Sequence, residues 1–116
     1  MSPDVDWNAA LATVHGDRRL LKLVIKSFLA ESLELQNQIS TAMASEDAKL
    51  LHRTAHTFKG TMNSLGAVGW SHTARRLEEI GATGSTAGAQ VVAEKLNQEL
   101  PSLLEQLTTF SEEQSD

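Results

Sequence analysis

The 116-residue chain has no cysteine, no tyrosine and only two prolines, and aromatic residues make up just 4% of it. Without cysteine there can be no disulfides and no thiolate metal sites, which fits a reducing compartment. Leu and Ala dominate the apolar 41%. A sheet protein would draw instead on Val, Ile, Thr and aromatics, so the composition favours an all-helical domain. No apolar run reaches the length of a membrane span, and the first charges are Asp4 and Asp6 rather than the basic start of a signal peptide. A soluble, cytoplasmic protein is the expectation.

An excess of basic residues is also missing. The net charge is −5, and residues 89–116 supply all of it, with six acids against Lys95. That argues against nucleic acid as a partner, which needs a basic footprint. Residues 1–88 balance nine acids with nine bases. No glycine-rich phosphate cradle with a trailing Lys-Ser/Thr is present. The chain is therefore expected neither to bind ATP nor to phosphorylate itself.

Helical periodicity runs from end to end. Trp7, Ala10, Leu11 and Val14 form the stripe of a short helix capped by Asp6, and His15-Gly16-Asp17 closes it and caps the next. A long helix over 18–45 places Leu21, Ile25, Phe28, Leu35, Ile39 and Ala42 on one side, with Leu20, Val24 and Leu29 widening the stripe. Ser45-Glu46-Asp47 reads as turn and cap. A third helix over 48–65 carries the seam Leu51, Ala55, Phe58, Met62 and Leu65, ended by Gly66 and Gly69. A fourth over 70–80 buries Ala74, Leu77 and Ile80, and Gly81 to Gly88 forms a loop. The fifth, over 89–110, packs Val92, Leu96, Leu100, Leu103, Leu107 and Phe110, with a kink or a lost hydrogen bond expected at Pro101. These elements predict one all-α domain spanning 1–116. It is an antiparallel up-down-up-down four-helix bundle with a short extra N-terminal helix, a core over about 5–110 and a frayed tail at 111–116.

On the third helix, His52, His56, Lys59, Gly60 and Asn63 cluster roughly 80° to 180° from the seam. His56 follows seam residue Ala55, so one edge of the imidazole is supported and the other is wet. Imidazole is a nitrogen nucleophile near neutral pH. Lys59, three residues on, can swing its ammonium toward an oxyanion on the ring, and Asn63 can donate an amide at the same surface. Gly60 costs the helix up to about 1 kcal/mol against alanine. A space requirement accounts for it: a side chain there would crowd the imidazole or whatever is attached to it. Each feature alone has an ordinary explanation as a surface histidine, a solvated lysine or a close-packing glycine. His52 and His56 share the i, i+4 spacing of a zinc pair. With no further ligand evident, His52 is read as lining a docking surface and lending it pH sensitivity.

The segment Ala55-His56-Thr57-Phe58-Lys59-Gly60, followed by Leu65-Gly66-Ala67, resembles the signature of histidine phosphotransfer (HPt) domains. The Gly16-Asp17 helix start, the Ser-Glu-Asp turn and the Arg75-to-Gly81 segment resemble the family too, so the likeness covers about Val5 to Phe110. Phe58 stands where leucine or isoleucine is frequent. The resemblance implies a bundle whose exposed histidine relays a phosphoryl group between aspartates of two receiver domains. It makes His56 the carrier through Nε2, Lys59 a stabiliser of the phosphoryl oxygens, and Gly60 the clearance for the approaching active site. His52, Arg53 and Asn63 are expected to contact the partner. The domain is expected to bind no cofactor of its own, the receiver supplying the Mg ion, and to act as a monomeric stoichiometric carrier rather than an enzyme. Two readings compete. A sensor-kinase dimerisation region would pair two-helix protomers, whereas this chain can close a bundle alone. A silent helical adaptor would not need His56, Lys59 and Gly60 together.

Overall fold

The computed structural model describes residues 4–113. Five helices follow in order: α1 (Trp7–Ala12), α2 (Arg18–Ala44), α3 (Ala48–Ser64), α4 (Val68–Ala82) and α5 (Ala89–Glu112). α2 through α5 pack as a ring in which each helix touches its two neighbours, and α1 lies against α2 and α3. Aspartates start three of the helices. Asp6, Asp17 and Asp47 accept from the backbone N–H three residues on, at 3.0, 3.1 and 3.0 Å. Such a cap is worth about 1 kcal/mol.

The core follows the seams read from the sequence. Leu21, Ile25, Phe28, Leu51, Ala55, Phe58, Met62 and Leu65 are essentially inaccessible, and Phe28 meets Phe58 edge to face at 6.1 Å. Where the chain leaves α3, Gly66 takes φ +73° and its carbonyl accepts from Asp6 N–H at 2.9 Å. A Cβ there would lie 2.2 Å from the Asp6 carbonyl oxygen, so the turn admits only glycine. This contact ties α1 to the end of the helix that carries His56.

Three boundaries differ from expectation. Gly69 lies inside α4, which starts at Val68 and brings Trp70 into its first turn. Trp70 is fully buried and donates its indole N–H to the Glu99 carbonyl at 2.8 Å, while Ile80 is only half-buried. Gly81, read as loop, belongs to the last turn of α4 and is buried against α3. A Cβ on Gly81 would lie 2.7 Å from His52 N and 2.9 Å from Ala48 O. Close helix approach, not a turn, explains that glycine. α5 continues through Pro101 as one helix and ends at Glu112 rather than Phe110. Ser111 and Glu112 are therefore helical, and tail residues 114–116 lie outside the described residues.

Candidate functional site

The site lies where α3 and α4 face each other. Ala55 and Phe58 are locked in the core, which fixes the rotation of α3 and turns His56 and Lys59 toward the flank beside α4. On α4, Leu77 is locked in the same way and turns Glu78 toward them. The Glu78 carboxylate joins the two. Its Oε2 meets His56 Nδ1, and its Oε1 accepts from Lys59 Nζ at 2.6 Å. Side-chain exposures are 65% for His56, 25% for Lys59 and 13% for Glu78, so the imidazole stands in solvent on a nearly covered acid.

Electrostatics fixes the tautomer. Burial pushes the Glu78 carboxyl up, but hydrogen bonds from Lys59 and His56 together with their charges outweigh it and hold the group below its ordinary value. An ionised carboxylate is acceptor-only, so Nδ1 must be the nitrogen that carries the proton and donates. In the neutral ring Nε2 then holds the lone pair. No described residue hydrogen-bonds to Nε2.

The other expected site residues take different places. His52 stacks near His56, with ring centroids 6.5 Å apart and planes 19° from parallel. Its backbone is the surface that Gly81 packs against. Asn63 is exposed and borders an open groove with Lys59, Val68, Ser71 and Arg75. Arg53 is exposed one turn before His56, and its carbonyl accepts from Thr57 Oγ1 at 3.1 Å.

Two expectations need correction. A Cβ on Gly60 would meet no heavy atom within 4 Å. A Cβ alone therefore does not crowd the imidazole, and the space beside Gly60 is open. The Lys59 ammonium does not reach freely over the ring either, because it is paired with Glu78. Sequence reasoning gave Glu78 no role. The signal was there in the register: Glu78 follows seam residue Leu77 as His56 follows seam residue Ala55, on an adjacent helix.

Comparison with known proteins bears on the fold and the family. The family model of the Hpt domain matches residues 24–110, which takes in α3, α4 and most of α2 and α5. No curated protein matches the chain. Among solved structures, the crystal structure of histidine-containing phosphotransfer protein B (HptB) from Pseudomonas aeruginosa PAO1 superposes with a TM-score of 0.87 at 22% sequence identity, covering 99% of this chain and 100% of that one. The shared fold and the family match lead to one assignment: the chain belongs to the Hpt domain family, the histidine phosphotransfer modules of phosphorelay signalling.

Proposed function

We propose that His56 carries the phosphoryl group, that Nε2 is the atom bonded to it, and that receiver domains of response regulators or hybrid kinases are donor and acceptor. The observation that supports this reading is the Nδ1–Glu78 contact, which leaves Nε2 unprotonated and pointing away from the acid. The Nε2 lone pair attacks the phosphorus of a receiver's aspartyl phosphate. The N–P bond forms as the P–O bond breaks, the aspartate leaves with the electron pair, and Nδ1–H stays on Glu78. Onward transfer is the reverse step to a second aspartate.

Phosphoryl transfer needs in-line positioning and charge neutralisation more than covalent help. His56 sits on a helix whose core-facing residues are fully buried, so its aim is fixed. Lys59 can turn its ammonium toward the phosphoryl oxygens, in competition with Glu78, its partner at rest. Gly60 leaves the outer surface bare for the receiver's active-site loops, and His52, Arg53 and Asn63 border that surface. The receiver's acidic pocket supplies the divalent cation. The domain acts stoichiometrically, as a monomer, in the cytoplasm where receivers reside. No helix among the described residues is long and apolar enough to cross a membrane.

Incubation with phosphorylated receivers tests the assignment. His56→Gln is expected to abolish labelling, and persistent labelling would overturn it. Gly60→Glu is expected to keep the helix content by circular dichroism yet slow transfer at least about tenfold, because misplaced reactants lose rate steeply. Unimpaired transfer in that variant would remove Gly60 from the site.

A further inference from the structure

A single carboxylate holds both groups that handle the phosphoryl, one on each oxygen. Glu78 Oε2 faces His56 Nδ1, and Oε1 accepts from Lys59 Nζ at 2.6 Å. The acid comes from α4 while both partners come from α3, and its side chain is only 13% exposed. It therefore cannot follow Lys59 if the lysine turns toward a group on Nε2. Lys59 is 25% exposed on a flexible four-carbon stem, so the ammonium is the member able to move.

In the resting site the Glu78 carboxylate is balanced by the Lys59 ammonium. A phosphoryl group on Nε2 adds a dianion beside that pair and gives the ring, still protonated at Nδ1, a positive charge. The phosphoryl oxygens and the Glu78 carboxylate then compete for one ammonium. We propose that Glu78 raises the phosphoryl-transfer potential of His56 by competing with the phosphoryl oxygens for Lys59. Its contact with Nδ1–H strengthens on a cationic ring and offsets part of that effect, while keeping the proton in place for departure of a neutral imidazole. The net result keeps the phosphohistidine easy to give away, which a carrier that must both load and unload requires. Glu78 is thus a positioning residue that acts through His56 and Lys59, and it never touches the phosphoryl favourably itself. The proposal rests on His56 being the carrier.

The test needs no receiver. Phosphoramidate donates a phosphoryl to imidazole nitrogen, breaking one N–P bond as another forms and releasing ammonia. The equilibrium fraction of phosphohistidine at fixed phosphoramidate and ammonia therefore reports the transfer potential directly. Phosphorus NMR and intact mass read that fraction in the full chain. Glu78→Gln keeps a side-chain oxygen for Nδ1–H but releases Lys59. The equilibrium constant for phosphohistidine is expected to rise on the order of tenfold, the scale of one charge-assisted hydrogen bond. Adding Lys59→Met to Glu78→Gln is expected to remove most of that gain. An unchanged or lower constant in Glu78→Gln, with circular dichroism intact, would overturn the proposal. A gain kept in full without Lys59 would also overturn it, since simple repulsion by the acid would then suffice. His56→Gln serves as the control for the underlying assignment. Phosphate on that variant would defeat the carrier role of His56, whatever the ratio between the other variants.

Discussion

Two glutamates in this domain each join two basic side chains, with very different consequences. Glu78 sits between α3 and α4 at 13% exposure and joins His56 and Lys59. Glu113, just past the end of α5, pairs with Arg18 Nη2 at 2.8 Å and accepts from Lys22 through its backbone carbonyl. Arg18 and Glu113 are 45% and 49% exposed, and Arg18 also lies over the Phe110 ring at 4.6 Å. The α2–α5 pair is bathed in water, where solvent and salt screen it and ordering two long side chains offsets the attraction. At the α3–α4 contact the Glu78 carboxylate is nearly covered and held by a packed helix, so its charge governs a proton position on an imidazole that itself stands in solvent. The same residue types become a fastening at one place and a chemical control at the other. The difference lies in burial.

That comparison can be broken most forcefully through the helix contact beneath the site. Gly81→Val puts side-chain atoms where His52 N and Ala48 O already lie 2.7 and 2.9 Å from the Cβ position. α4 must then move off α3, and the expected loss is about 2–3 kcal/mol in urea unfolding. Phosphotransfer is expected to fall as well, because Glu78 moves with α4. A smaller effect comes from acid. Because the folded-state pKa of Glu78 is lowered, its contribution to stability is complete above the unfolded glutamate value of about 4.3 and is lost as pH falls through the depressed folded value. Wild type is expected to lose stability over that window, and Glu78→Gln to show a flatter acid limb in pH-dependent unfolding. The smallest change belongs to the exposed pair. Arg18→Ala is expected to cost less than about 1 kcal/mol, and less still at high salt, while leaving phosphotransfer unaltered. A larger loss there would mean that exposure does not separate the two clusters.

The bundle was legible because its seams repeat at helical spacing. Leu51, Ala55, Phe58 and Met62 could be placed inside, and His56 and Lys59 on the flank, from one helix alone. Glu78 was not legible in the same way. Its importance depends on which face of α4 meets which face of α3, and intrahelical spacing does not report that. Gly81 was misread for a related reason. A glycine near a run of small residues looks like a turn, whereas here it marks a close approach whose other surface is the backbone of His52. Gly69 misled in the same way, and Trp70 consequently lost its place in the core. At Gly60 an added Cβ meets nothing within 4 Å, so close packing within the chain does not explain that glycine.

The burial of Trp70 has an optical consequence. In a chain without tyrosine, near-ultraviolet emission comes from two indoles alone. One is Trp70, enclosed between α4 and α5, and the other is Trp7, stacked on Phe110 at 4.5 Å. Neither belongs to the surface around His56, so a receiver can dock there without quenching either. A change in emission on adding a partner would therefore report helices shifting inside the bundle, and steady emission would report rigid docking.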